Sequence, residues 1–188
     1  QEHEIAPFDL VIGNLYPFEE FKEKNLSDRE LTEYIDIGGP ALLRASAKNY
    51  EQITVVCDPI DYNWILSQGS TTLEQRKKLA AKLFTHISAY DSMIANELNK
   101  DTFEKAEQTF AGEVVQTLRY GENPDQKALW LKAKGAKGGL HTSKILQGKA
   151  LSYNNLLDLD AVMDLAVMFD QPCCVAVKHN NPCGVSLG

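Results

Sequence analysis

A chain of 188 residues, 44% hydrophobic and 24% charged, suits one large soluble domain or two small ones. Its formal net charge of −7 argues against a general nucleic-acid surface, although a few local cations can still hold a small anion. No apolar run approaches the roughly 20 residues of a membrane helix, and no basic-then-apolar leader precedes the first strand-like segment.

Phe8 to Leu15 reads as a buried strand that ends at Asn14-Leu15-Tyr16-Pro17, where proline stops the ladder. Ser27-Asp28-Arg29-Glu30 is a capping box that opens a short helix. Ile35-Asp36-Ile37-Gly38-Gly39-Pro40 leads into a helix through Lys48, with Pro40 suited to its first turn. Ile53 to Cys57 is a β-branched strand closed by Asp58-Pro59. Thr71-Thr72-Leu73-Glu74 reads as a second capping box, after which Leu79, Ala80, Leu83, Phe84, Ile87, Tyr90 and Ile94 recur at helical spacing. Asp101-Thr102-Phe103-Glu104 opens a further helix that ends near Ala111-Gly112. Strand, helix, strand, helix is the grammar of an α/β domain.

The texture changes near residues 111–116, where a domain boundary is expected. Gly135, Gly138, Gly139 and Gly148 mark irregular or hairpin structure. A helix is expected from about Leu156 to Phe169 with Asn155 as its cap, and then a strand from Cys173 to Val177. Both chain ends read as cuts through a larger protein.

Three strings and one helix entry carry the chemistry. At Gly38-Gly39-Pro40, backbone N–H groups and the helix dipole favour an anion, with Asp36 before the entry and Lys48 further along. Asn14-Leu15-Tyr16-Pro17-Phe18 sets a phenol at a strand's carboxyl end, where α/β sheets bind ligands. In Arg119-Tyr120-Gly121-Glu122-Asn123-Pro124, the guanidinium suits a phosphate and the phenol can stack on a heterocycle. Lys178-His179 is delivered by a valine-rich strand into an Asn180-Asn181-Pro182-Cys183-Gly184 loop. Imidazole is a competent base near neutral pH, and the lysine can stabilise negative charge on a substrate oxygen. Each motif alone also has a plain structural reading: a tight turn, a packed tyrosine, a domain-entry turn, an exposed lysine beside a structural histidine.

The cysteines, Cys57, Cys173, Cys174 and Cys183, fit neither a zinc ribbon nor a disulfide framework, so buried free thiols and a reducing cytoplasm are expected. Pro182-Cys183 resembles the PC of zinc deaminases, but the C-x-x-C and H-x-E that should accompany it are absent.

Together these strings resemble the bifunctional enzymes of late purine biosynthesis, which join a phosphoribosyl-aminoimidazole-carboxamide formyltransferase to an inosinate (IMP) cyclohydrolase. The matching words are NLYPF at 14–18, IDIGGPALLRASAKN at 35–49, TVVCDP at 54–59, RYGENP at 119–124, LSYNNLLDLDA at 151–161 and VKHNNPCG at 177–184, in the family's order. The resemblance implies that residues 1–112 are the later part of a methylglyoxal synthase-like cyclohydrolase domain. It implies that residues 113–188 begin a cytidine deaminase-like transferase domain that needs no metal. Tyr16, Asp36 and Lys48 match the cyclohydrolase's catalytic residues, with Asn14 and Gly39 in the same motifs. Arg119, Tyr120 and Asn155 match nucleotide contacts, and Lys178 and His179 the transferase's catalytic pair.

The implied cosubstrate is 10-formyltetrahydrofolate and the implied partners are purine nucleotide intermediates, in a cytoplasmic homodimer that engages neither nucleic acid nor membrane. Asp125 stands where the family usually has histidine, either weakening the electrostatics beside the phosphate or as a tolerated variant. Since the family extends beyond both ends of this chain, the isolated segment is expected to be inactive. The alternatives are a methylglyoxal synthase-like nucleotide-binding or regulatory module without catalysis, and a structural segment of a dimer interface.

Overall fold

The structure is a computed structural model that describes residues 6–24, 26–102, 109–134 and 136–188. It is mixed α/β, and it divides into two compact units, Gln1–Ala111 and Gly112–Gly188.

In the first unit, β1 (Leu10–Ile12) pairs in parallel with β2 (Thr54–Val56), Val11 opposite Val55. Between them run α1 (Phe18–Lys22), α2 (Asp28–Thr32) and α3 (Gly38–Lys48). A 3₁₀ turn at Pro59–Asp61 leads into α4 (Tyr62–Gln68), and α5 (Leu73–Leu98) follows. Val55, Val56 and Thr54 are all buried, as expected of a β-branched strand covered on both faces. The expected strand at Phe8 to Leu15 is shorter and largely exposed: Leu10 and Ile12 are about half open to solvent. Its Val11 and Leu15 pack inward, while β2 is its single ladder partner among the described residues.

The helix α5 organises the core. At about 1.5 Å per residue its 26 residues span roughly 39 Å. Its Ala80, Leu83 and Ile87 join a cluster with Leu43, Ala47, Val55 and Cys57. Further along, Tyr90 joins a second cluster with Phe18 and Leu31, meeting the Phe18 ring edge-on at 6.4 Å. The spacing 83, 87, 90, 94 therefore marks the buried stripe, whereas Phe84 is turned out and 46% exposed.

Capping chemistry starts these helices. Ser27 and Glu30 form the expected box at α2. At α5 the box is one residue later than the sequence suggests, with Thr72 as N-cap and Gln75 as its partner. Thr71 is engaged elsewhere: its Oγ1 is 2.6 Å from that of Thr54, and its carbonyl accepts from Arg76 at 2.6 Å. Glu74 pairs instead with Lys78 one turn on. The helix expected from Asp101 falls largely on residues 103–108, outside the described residues; Lys100–Thr102 is a 3₁₀ turn.

The second unit holds two antiparallel hairpins and one helix. In the first hairpin, β3 (Gly112–Thr117) pairs with β4 (Leu129–Ala133) through a register shift between Val114 and Gln116. A 3₁₀ turn at Leu140–Thr142 follows, then α6 (Tyr153–Ala166). In the second hairpin, β5 (Cys173–Lys178) pairs with β6 (Asn181–Leu187), and α6 packs on β5. Asn155 is not the N-cap of α6. Ser152 is, and Asn155 is its partner three residues on, with Asn155 Oδ1 accepting from the Ser152 N–H at 3.1 Å and from its hydroxyl at 3.0 Å.

The Asn-Asn-Pro-Cys-Gly stretch is likewise not a loop. His179 and Asn180 alone make the turn, at φ 53° and 62°, and the chain returns at once as β6. Positive φ at both central residues is what a two-residue hairpin demands, and Asn and His tolerate it better than branched residues. Pro182, which has no N–H for a ladder, sits where the register slips between Ala176 and Val177.

Candidate functional site

The candidate site residues fall in two groups, one in each unit. The first lies beyond the carboxyl end of β1. The ladder ends with the Gly13 N–H donating to the Val56 carbonyl at 3.0 Å. Strand alternation then turns Leu15 into the core and leaves Asn14 and Tyr16 exposed.

Tyr16 and Asp36 meet here. Asp36 Oδ1 accepts the Gly39 N–H at 2.8 Å, and Oδ2 accepts the Tyr16 N–H at 3.4 Å. The anion expected at this helix entry is therefore the chain's own Asp36. From behind, the Asp36 N–H donates to the Tyr90 hydroxyl at 2.9 Å, and that hydroxyl donates to the Tyr34 carbonyl at 3.3 Å. Burial, with the nearby Asp36 and Asp91 carboxylates, raises the Tyr90 phenol above its ordinary value, so it remains a neutral donor and acceptor. Gly39 has no room for a side chain: a Cβ there would lie 2.5 Å from Asp36 Oδ2. Asn14 is held separately, its Oδ1 accepting the Tyr62 hydroxyl at 2.5 Å.

Lys48 is not brought to this cluster. It is the last residue of α3, about 14 Å along the axis from Gly39 at helical rise. There it lines an apolar groove of about 550 Å³ with Arg44, Tyr50, Ala80 and Phe84.

At the carboxyl end of β2, Lys82 from α5 reaches Asp58 at 2.9 Å and Asp61 at 2.6 Å. Its hydrogen bond to Lys82 holds the Asp58 carboxyl below the usual range, against burial. Cys57, buried beside it, has its thiol pushed up by burial and is suited to packing rather than nucleophilic work.

The second group is arranged along α6. At the helix start, the Arg119 N–H donates to the Leu151 carbonyl at 2.7 Å and the Tyr153 N–H to the Tyr120 carbonyl at 3.1 Å. These bonds flank Ser152, which is fully buried. The Arg119 guanidinium lies over the Tyr120 ring, 4.9 Å from its centre, and also donates to the Tyr120 hydroxyl at 3.2 Å. Hydrogen bonding by Ser152 and then Arg119 lowers the Tyr120 phenol from its ordinary value. The Glu122-Asn123-Pro124 turn is closed by Gln126, whose Oε1 accepts the Asn123 N–H at 2.9 Å, and it is tied to α6 by Asn154.

The other end of this group is the hairpin tip. Lys178 and His179 are exposed, and the Asn180 N–H donates to Asp158 Oδ1 at 2.8 Å. Asp158 lies three residues after Asn155 on α6, so both share one helix face. The start of α6 and the hairpin tip are thus separated by six residues of helix, about 9 Å of rise.

Sequence reasoning missed Tyr90, Tyr62 and Ser152. Tyr90 reads as one more apolar position in a helical stripe, and its hydroxyl's partners are over 50 residues away. Ser152 had a signal, since Ser-x-x-Asn has the spacing of a capping box. Among the described residues no group of three or more His, Cys, Asp or Glu side chains is disposed to hold a metal ion, and no helix is long and apolar enough to cross a membrane.

Polar side chains thus gather beyond the end of β1 in the first unit and along α6 in the second. Comparison with known proteins is more specific. Residues 46–188 match the family model described as the AICARFT/IMPCHase bienzyme, and the chain belongs to that family. It is 46% identical to the bifunctional purine biosynthesis protein PurH of Bacillus subtilis strain 168 over 195 aligned residues, covering 100% of this chain and 38% of that protein. The proteins of the same description from Halalkalibacterium halodurans and Aquifex aeolicus are 47% and 44% identical, again over 100% of this chain and 38% of theirs. The chain therefore spans little more than a third of these relatives' length. A solved structure titled "Crystal structure of ForH" aligns over 50% of this chain at 35% identity with a TM-score of 0.41, a likeness too low to bear on the fold. The expectation of a non-catalytic regulatory module finds no support in these matches.

Proposed function

We propose that this chain carries parts of two active sites of a purine-biosynthetic enzyme, one in each unit. In this reading residues 1–112 belong to a methylglyoxal synthase-like cyclohydrolase domain and residues 113–188 to a cytidine deaminase-like transferase domain. The transferase moves a formyl group from 10-formyltetrahydrofolate to the amine of aminoimidazole-carboxamide ribonucleotide. The cyclohydrolase then closes the ring with loss of water to give IMP. The support is family membership together with one observation: a single helix, α6, ties the Arg119-Tyr120 turn at its start and the Lys178-His179 tip further along.

In the transferase step the substrate amine attacks the formyl carbon and a tetrahedral oxyanion develops. His179 accepts the amine proton as general base, Lys178 stabilises the oxyanion, and collapse of the intermediate breaks the bond to the folate nitrogen, which leaves protonated as tetrahydrofolate. Arg119 holds the phosphate by its planar fork, with Tyr120 beside it under the same guanidinium. Asn155 gives its oxygen to the Ser152 cap and in this reading keeps its Nδ2 group for the nucleotide.

In the closure step the carboxamide nitrogen attacks the new formyl group. Asp36 and Tyr16 handle protons and orient the amide, with Asn14 and Gly39 beside them, while Lys48, at the far end of α3, is not placed to act at the same point. The working protein is a cytoplasmic homodimer, and neither step calls for a metal. Tetrahydrofolate release by the full polypeptide, parent against His179→Ala, tests the transferase reading. Release by the parent and a loss of about 100-fold or more in the variant is expected, on the scale of a positioned base. No release from a folded parent, or an unimpaired variant, overturns it.

A further inference from the structure

The tip that carries Lys178 and His179 is held in an uncommon conformation by a residue that does not belong to it. His179 and Asn180 are adjacent non-glycine residues at φ 53° and 62°. Left-handed backbone is disfavoured for L-residues and persists where the surroundings fix it. Two side chains do so. Asn181 Nδ2 donates to the His179 carbonyl at 2.8 Å, within the turn itself. Asp158 Oδ1 accepts the Asn180 N–H at 2.8 Å from α6, 22 residues away in sequence.

Asp158 therefore bonds the hairpin tip to the helix that also presents Asn155 and braces Arg119-Tyr120. The packing of α6 on β5 and β6 places the hairpin as a whole, and the Asp158 bond ties the turn itself to that helix. If the tip rotates, the His179 ring moves relative to any ligand lying along α6. A displacement of about 1 Å is enough to cost a reaction that depends on alignment.

We infer that Asp158 is a positioning residue: its carboxylate oxygen, acting as an acceptor for the Asn180 N–H, sets the orientation of His179 for proton removal. This rests on the transferase reading above. The bond needs an acceptor rather than a charge, so asparagine, whose Oδ1 can take the same N–H, preserves it. Alanine removes it. Glutamate keeps the charge but moves the acceptor by one methylene.

The test is steady-state formyl transfer by the full polypeptide, with kcat and the nucleotide KM read separately, for parent, Asp158→Ala, Asp158→Asn, Asp158→Glu and His179→Ala. The expected result for Asp158→Ala is a kcat about tenfold or more below the parent with KM within about twofold, as for an interaction made in the transition state. Asp158→Asn recovers most of the parental kcat, and Asp158→Glu falls between. A parental kcat in Asp158→Ala beside a collapsed His179→Ala overturns the inference and leaves the transferase reading standing. An Asp158→Asn as impaired as Asp158→Ala overturns the acceptor role. An active His179→Ala overturns the transferase reading first. Should the alanine variant fail to fold, the asparagine and glutamate variants decide: an ordering with glutamate at or above asparagine contradicts the inference.

Discussion

Gly39 and Asp36 are fitted to each other at the start of α3. The glycine N–H donates to Asp36 Oδ1 at 2.8 Å, and a methyl group on Gly39 would lie 2.5 Å from Oδ2 and 2.9 Å from Cγ. No side chain fits there unless the carboxylate moves. Gly39→Ala is expected to displace Asp36 and slow ring closure by about tenfold or more, because alignment of the carboxylate is lost. Formyl transfer should be unaffected. Separate assays of the two steps on the full polypeptide check this, and parental closure by the variant would show that the Asp36 position is not critical.

Tyr90 supports Asp36 from the core. Its hydroxyl accepts the Asp36 N–H and donates to the Tyr34 carbonyl, in a residue only 4% exposed. Tyr90→Phe leaves both groups without that partner and should destabilise the fold by about 1–3 kcal/mol. The measurement is the urea midpoint at constant slope. An unchanged midpoint contradicts the proposed support.

The Asp58–Lys82–Asp61 cluster sets an acid limit. Its Lys82 hydrogen bond depresses Asp58, against burial, with help from the Ile60 N–H. A carboxyl depressed on folding adds stability that is complete above its unfolded value and is lost as pH falls through the folded one. Lys82 is raised, two carboxylate hydrogen bonds prevailing over the burial that opposes them, so its share fades only in strong alkali. Lys82→Met should therefore lower the urea midpoint near pH 7, and the difference should begin to shrink only as pH falls below about 4. The loss should be under about 1 kcal/mol, since Lys82 and Asp58 are 39% and 38% exposed and water screens them. A difference that persists undiminished at pH 3 counts against the cluster.

Ser152→Ala tests the start of α6. The serine is fully buried, caps the helix and engages Asn155. Its loss should cost about 1 kcal/mol as a missing cap and should weaken nucleotide binding by releasing Asn155. Nucleotide affinity by titration, beside the thermal midpoint, separates the two effects. A destabilised variant with unchanged affinity would leave Ser152 a purely structural role.

Local chemistry made much of this molecule legible. The Ser27–Glu30 box, the α3 entry at Gly38-Gly39-Pro40 and the stripe through Leu83, Ile87 and Tyr90 follow from spacing alone. What stayed hidden depends on partners distant in sequence. The shift of the α5 cap to Thr72 follows from Thr71 meeting Thr54, 17 residues away. The start of β6 reads as a loop because Asn, Pro and Gly are turn residues by composition, while the register slip that tolerates Pro182 belongs to the pairing with β5. Site residues were legible as motifs but not as a geometry. Tyr16, Asp36 and Gly39 converge, and Lys48 stands at the far end of its helix.

The most direct measurement is a crossed assay on the full polypeptide with His179→Ala and Asp36→Asn. Each variant is assayed for tetrahydrofolate release and, separately, for closure of supplied formylated ribonucleotide to IMP. Two active sites in two units predict that His179→Ala loses release by about 100-fold or more yet closes the ring at the parental rate, and that Asp36→Asn does the reverse. Folded variants that each lose both steps, or that lose neither, contradict that division.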